Sequence, residues 1–383
     1  MGYEINQHQP PRFEAIPFER IYSQYIREMP KIDLHRHLVG SIRPEVLTYI
    51  ANQLNITIPT FGNDPESIER VAVIRQPLEG GYRTFIQKRF WSVFQYIFSK
   101  PQGCAHAIYW AIKDASLDNV AYVEFRVSPY RVNPDSPENL VQFLKSLQEG
   151  INAAMRDCPN TIAKIILSIG RRSVYGKWYR ERLDEYYSQL VATASDFRNI
   201  IVGFDLSGDE EEYPNHLFKE FARKVKDSNF KLTVHAGETG DPRSIWDAID
   251  LLGADRIGHG LGLLNDRALL RRVVDIGVAL ELCPTSNWLL RAAPSIEEHP
   301  FGEFFKCGVR TTVNTDDPVL FDNTTMTIEF YKLIRAHQIS VDDIPKIQAY
   351  SIDAIFADDN VKAALARKFT SPSVESHCLA AIG

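Results

Sequence analysis

The sequence has no uninterrupted apolar run of the about 18 residues that a helix needs to cross a bilayer, so no membrane partner is expected. It has no excess of positive charge either. Its 43 Lys and Arg stand against 49 Asp and Glu, and the formal net charge of −6 disfavours nucleic acid or an anionic membrane surface as partner. Cysteine is scarce: five residues, at 104, 158, 283, 307 and 378, odd in number and with no C-x-x-C pair. Such a set reads as reduced thiols in a cytosolic enzyme, with neither a disulfide framework nor a thiolate metal site. Cys378 lies too far from the end for prenylation. The opening "MGYEINQHQPPRFEAIPFERIYSQYIREMP" carries early charges and prolines but no apolar core, so no secretory signal is expected. Internal repeats and low-complexity segments are missing too.

What remains is ordinary globular material. Of 383 residues, 44% are hydrophobic and 24% charged, enough for a large core. That length fits two or three domains, or one barrel with insertions.

Short runs rich in β-branched and aromatic residues recur after the N-terminal arm. They are "KIDLHRH" (31–37), "AYVEFRVS" (121–128), "KIILSIG" (164–170), "IIVGFDLSG" (200–208), "KLTVHAGE" (231–238), "RIGHG" (256–260), "VALELCPTSN" (278–287) and "VRTTVNTDD" (309–317). Several are apolar almost throughout, as strands buried on both faces should be. Between them lie helical patterns such as "SPENLVQFLKSLQEGINAAM" and "DPRSIWDAIDLLG", the second opening on an Asp-Pro start signal. Eight strands alternating with helices predict an α/β fold, a parallel (β/α)8 TIM barrel.

About 85 residues separate the first two strands, far more than an ordinary connection. The stretch includes "GYRTFIQKRFWSVFQYIFSKPQG" (80–102), with aromatics at helical spacing. It predicts extra helices inserted after the first strand, over about residues 55–118. They serve as a layer covering the barrel, as a lid with some of Phe85, Phe90, Trp91 and Phe94 over its mouth, or as both at once. The expected organisation is an N-terminal arm (1–29), one domain (30–370) and a loosely held tail (371–383). The arm can pack on the barrel or on a neighbouring molecule.

Polar residues capable of chemistry fall at the C-terminal ends of the strand patterns: His35, His37, Asp205, His235, Glu238, His259, Asp316 and Asp317. In a parallel barrel these ends converge on one face, where active sites are built. The other six histidines, at 8, 106, 216, 299, 337 and 377, have no such placement and read as structural or exposed. Strand side chains alternate, so His35 and His37 point to the same side. With His235 and Asp316 they make three imidazoles and one carboxylate, a donor set that suits Zn²⁺ and also admits Fe²⁺, Ni²⁺ or Mn²⁺. A site without thiolates points to an open catalytic metal, with a position for water whose pKa zinc lowers towards about 7. His259 stands where it can orient that water, take its proton or stabilise developing charge. Glu238 can act as a general acid if a dry pocket keeps it protonated, or can partner a helix N-terminus. Asp205 reads as a residue behind the metal ligands that orients His259. The glycine of "SGD", Gly208, lets a flat ligand approach the backbone.

Taken in order, "DLHRHL…G", "DLSGDE", "VHAGE", "RIGHG", "CPTSN" and "NTDDP" resemble the adenosine deaminase family of the amidohydrolase superfamily, from about residue 30 to residue 350. "YVEFRVSP" looks more like its nucleoside deaminases than its adenine deaminases. The H-x-E…P-C-x-x-C signature of the cytidine-type zinc deaminases is absent. The resemblance implies one zinc per chain on His35, His37, His235 and Asp316, and hydrolytic release of ammonia from an adenine nucleoside. It further implies that Glu238 protonates ring nitrogen-1, and that His259 and Asp316 position and deprotonate the attacking water. Asp317 would bond nitrogen-7, and the Gly208 amide nitrogen-3. It also implies a cytoplasmic purine-metabolising hydrolase whose partner is a small purine nucleoside; oligomeric state is left open.

One position departs from the family pattern, which has an aspartate for the ribose hydroxyl end where this chain has Val39. By alternation Val39 points towards the ligand histidines. Either the change is neutral, or it turns preference towards an apolar 5′-substituent such as methylthio. N6-alkyl adenine nucleotides, aminodeoxyfutalosine and adenine are the other adenine derivatives to weigh.

Overall fold

The computed structural model describes residues 24–58, 62–85, 94–129, 137–172 and 182–370. Eight strands form one sheet in sequence order: β1 (Lys31–His37), β2 (Val120–Val127), β3 (Ile162–Gly170), β4 (Ile201–Ser207), β5 (Lys231–Ala236), β6 (Arg256–His259), β7 (Ala279–Leu282) and β8 (Arg310–Val313). Every neighbouring pair from β1–β2 to β7–β8 is parallel. Helices pack outside, so the strands are buried on both faces and read as apolar runs. This is the expected (β/α)8 barrel. All eight runs are strands, and even "RIGHG" holds one over four residues.

Apart from β1 and β3, which end as expected at His37 and Gly170, the strands stop earlier than the sequence runs imply. The seventh was expected to reach residue 287, but it ends at Leu282 because Pro284 starts a helix, Pro284–Leu289. The eighth ends at Val313, and the chain beyond it crosses to β1. There the Asp316 amide donates to the His35 carbonyl and the His37 amide to the Asp316 carbonyl, both at 2.7 Å. Deeper in, the Leu34 amide donates to Asn314 Oδ1 at 2.9 Å. Three residues past β8 thus close the ring that the ladder leaves nearly closed.

The barrel interior is ionic below the rim. Arg126 on β2 donates to Glu281 on β7, and Arg256 on β6 bridges Glu281 (2.6 Å) and Glu124 (2.5 Å). The guanidinium of Arg256 also stacks on Phe356, 3.6 Å from the ring centroid, while the Phe356 amide donates to Glu124. Every member is paired, which is what makes buried charge tolerable.

The insertion after β1 carries the helices Pro44–Gln53, Pro65–Ala72 and Pro101–Leu117, with a single turn at Gly81–Thr84 and a short 3-10 helix at Phe94–Ser99. Phe85 is 3% exposed and packs on Phe321, 5.1 Å between centroids, so it pins the insertion to the barrel. Phe90 and Trp91 lie outside the described residues, as does the tail from 371. Of the arm, Ile26 and Met29 are buried in the core. Glu124→Leu would leave Arg256 short of one buried partner and should cost about 3–5 kcal/mol. It is read as a lowered Tm; an unchanged Tm would mean the ionic layer carries no net stability.

Candidate active site

Three imidazole nitrogens converge at the C-terminal rim. His35 Nε2 lies 3.1 Å and His37 Nε2 3.4 Å from His235 Nε2. Asp316 Oδ1 sits 3.4 Å from His37 Nε2 and 3.7 Å from His35 Nε2. The opposite ring nitrogens of two of them are committed: His35 Nδ1 to Glu281 Oε2 and His235 Nδ1 to Asp205 Oδ1, each at 2.9 Å. Those carboxylates hold the δ protons, so both Nε2 atoms present lone pairs to one point. Lone pairs this close repel unless a cation lies between them. The donor set therefore fits a divalent metal, and Asp316 completes it with a carboxylate.

The backbone aims these groups. Asp316 (φ +61°) and His259 (φ +63°) both adopt the left-handed conformation that side chains with a Cβ rarely take. The crossing hydrogen bonds to β1 hold Asp316 there, and Ser286 Oγ donates to its Oδ2 at 2.6 Å. Asp205 does not orient His259 as the sequence suggested. It lies on β4 in register with Thr233 on β5, so it reaches His235, whereas His259 is one strand further on.

His259 is held instead by a relay the sequence did not reveal. The Phe301 amide donates to His299 Nδ1 at 3.1 Å, so neutral His299 carries its proton on Nε2. That proton goes to Asn287 Oδ1 (3.0 Å), which turns the Asn287 amide nitrogen towards His259 Nδ1 (3.1 Å). Burial lowers His299 to about 3, so it stays neutral. His259 Nδ1 is therefore an acceptor, and neutral His259 bears its proton on Nε2, facing the site. Burial, then the neighbouring charges of His235 and Arg126, hold His259 well below its ordinary value.

Glu238 is buried just past β5, with Oε1 3.7 Å from His259 Nε2. Burial, then Asp316 and Glu210, raise its carboxyl well above the usual range. It caps no helix; Asp241 caps Pro242–Asp250. Asp317 is also raised, by burial and by Asp316 and Glu238, and its Oδ1 is buried with no hydrogen-bond partner among the described residues. A Cβ at Gly40 would fall 1.9 Å from that oxygen, so only glycine fits beside it. Gly208 needs its own glycine for conformation (φ +101°), since a Cβ there would meet nothing closer than 3.5 Å.

Val39 departs from expectation in one respect. Strand alternation ends at His37, and Leu38 turns helical (φ −60°, ψ −41°), so alternation does not set the direction of Val39. It is half-buried in the short turn Val39–Ser41, one residue before the Gly40 that packs against Asp317. Glu281, Arg126, Asn287 and His299 were missed as site residues. For Glu281 and Arg126 the available signal was a charged residue inside an apolar strand run, "VALELC" and "YVEFRVS".

Imidazoles and carboxylates gathered around one point at the C-terminal rim of a parallel barrel form a site that fits a divalent metal, the arrangement a hydrolase of the amidohydrolase type would use. A model described as "Adenosine deaminase" matches residues 30–372. The adenosine deaminase of Shewanella pealeana is 32% identical over 341 residues, 88% of this chain and 97% of the relative. Among solved structures, an amidohydrolase from Burkholderia ambifaria with bound Zn superposes with TM-score 0.77 at 22% identity, covering 97% of this chain and 96% of its own. The N6-methyl-AMP deaminase of Arabidopsis thaliana does so with TM-score 0.72 at 24% identity, covering 92% and 99%. The chain belongs to the adenosine deaminase family. It is thus a hydrolytic deaminase acting on a C–N bond, and membership supports an adenine nucleoside as substrate class.

The relay makes a prediction. Asn287→Asp replaces the donor to His259 Nδ1 with an acceptor and forces the other tautomer. Turnover should fall about 10- to 100-fold, within the range of a misplaced catalytic group, with metal content unchanged. Native turnover in that variant would dismiss the relay.

Proposed function

We propose that this protein deaminates an adenine nucleoside hydrolytically, using a zinc ion held by His35, His37, His235 and Asp316. The observation that carries the reading is that the Nε2 atoms of His35 and His37 lie 3.1 and 3.4 Å from that of His235, with two opposite nitrogens already committed. When bound, such a metal supplies a water acidic enough to act as nucleophile near neutral pH. The chain's own residues do the rest. Glu238, kept protonated, donates its proton to ring nitrogen-1 and draws electron density away from carbon-6. Water adds at carbon-6, and His259 Nε2–H hydrogen-bonds the incoming oxygen. Because that nitrogen already carries a proton, the proton of the attacking water goes to Asp316. Asp317 and the Gly208 amide hold the purine edges at nitrogen-7 and nitrogen-3. Asp316 passes the proton taken from water on to the amino group, which leaves as ammonia with the C–N electron pair, and the carbon-6 hydroxyl proton returns to Glu238, giving the inosine analogue.

Rising pH strips Glu238 of the proton it must donate, so kcat should fall on the alkaline side. Glu238→Gln should lose turnover by at least about a hundredfold. It should still hold about one divalent ion per chain by elemental analysis. Activity within a few-fold of native would remove Glu238 as the acid, and unchelated native protein without a transition ion would remove the metal.

Val39 favours one refinement, a preference for an apolar 5′-substituent over the ribose 5′-hydroxyl. A hydroxyl facing valine lacks the acceptor that an aspartate offers, a loss of about 0.5–1.5 kcal/mol. Val39→Asp should therefore shift the kcat/KM ratio towards adenosine and away from 5′-methylthioadenosine by about 2- to 12-fold. A native preference for adenosine that survives the substitution would show that Val39 does not read the 5′ end.

A further inference from the structure

The acidic run "GDEEE" (208–212) after β4 looks like a solvated surface, yet Glu210 is only 6% exposed. Its carboxylate accepts four donors. Oε2 takes the Gly237 amide at 2.7 Å and the Ser244 hydroxyl; Oε1 takes the Thr239 amide at 2.9 Å and the Thr239 hydroxyl at 3.0 Å. Gly237 and Thr239 are the residues on either side of Glu238. The turn has little slack elsewhere, because Gly237 is left-handed (φ +69°) and a Cβ there would lie 2.6 Å from Ile245 Cδ1. Asn215 Nδ2 anchors the far side through the Ser244 carbonyl at 2.7 Å and hydroxyl at 3.1 Å. The nearby cation, Arg171, spends its hydrogen bonds on the carbonyls of Tyr213 and His235. Among the described residues Glu210 has no ion-pair partner. A buried carboxylate without a cation, bonded to the amides bracketing another carboxyl, calls for a reason beyond stability.

We propose that Glu210 is a positioning residue for the deamination: by gripping the two amides that flank Glu238 it fixes where the Glu238 carboxyl meets the purine ring. The inference rests on the reading of Glu238 as the acid. Its two neighbours in the run bind outward. Asp209 and Glu211 pair with Arg83 of the insertion at 3.3 Å and 2.7 Å, so the same loop joins the insertion to the turn that bears Glu238. Charge acts alongside geometry. The groups facing Glu238 are Asp316 and Asp317 past β8, Asp209 and Glu210 past β4, His259 on β6, Tyr82 of the insertion, and Arg171 past β3. Asp316, Glu210 and Asp209 favour a protonated Glu238, and Arg171 opposes it.

Two variants separate grip from charge. Glu210→Gln keeps the shape, removes the charge and turns one acceptor into a donor against an amide. Its kcat should fall about 10- to 100-fold with KM within about threefold, the mark of a misplaced reacting group. The alkaline limb of its pH profile should move to lower pH, because Glu238 loses a repelling neighbour and releases its proton sooner. Glu210→Asp keeps the charge but shortens the reach, so kcat should fall while the limb stays. Metal content and Tm are measured on both. A Glu210→Gln protein with native kcat and a native limb would overturn the proposal. Should that variant fail to fold, native kcat in Glu210→Asp would overturn it just as well. A native protein that deaminates no adenine nucleoside would overturn the functional reading itself, an outcome visible before any variant is compared.

Discussion

The arrangement of the rim follows from one repulsion. Two imidazole nitrogens 3.1 Å apart, each with a lone pair facing the other, are unstable together in the absence of positive charge. The surrounding structure enforces that conflict. Glu281 and Asp205 hold the δ protons, Arg126 sits behind both carboxylates, and Arg256 balances Glu281 from below. A barrel interior that could have been filled with leucine is filled with paired charge, because the carboxylates that orient the histidines need counter-charges of their own.

Much of this was legible in the sequence, for identifiable reasons. Strands buried on both faces are written as apolar runs, so all eight were recognisable, and so were the polar residues interrupting their ends. His35, His37, His235 and Asp316 stand out because each is a polar residue at the end of such a run. Strand ends were overestimated because side-chain type does not record where the ladder stops; at Pro284 the helix start was written in the sequence, and the β-like run masked it. The residues missed, Glu281, Asn287 and His299, act through a partner. Their role depends on which strand neighbours which and on hydrogen-bond direction, and neither is a property of a single position. Asp205 shows the same limit from the other side. Its place behind a histidine was readable, but register alone decides that the histidine is His235.

Loops complete what strands begin. Strand geometry delivers His35 and His235, but Glu238, Asp316 and Asp317 lie beyond strand ends. Each is fixed by a local device: the Glu210 grip, the left-handed residue tied to β1, and the glycine at 40 that leaves room for a carboxylate. Such devices place side chains more finely than a ladder can, at the cost of glycines and positive φ angles that tolerate few substitutions. The short turn at Val39 belongs to this loop layer, which is where relatives sharing a barrel can differ in what they accept without disturbing the chemistry.

The crossing of residues 314–316 onto β1 has a consequence for biogenesis. The first imidazoles emerge from the ribosome near residue 35, whereas the carboxylate that completes their set emerges some 280 positions later. Until then the nascent sheet keeps two unzipped margins, and its histidines lack the Asp316 carboxylate, although Asp205 and Glu281 are already made. Where an ion is held by this set, its binding and the sealing of the cylinder would be one late, mutually reinforcing event.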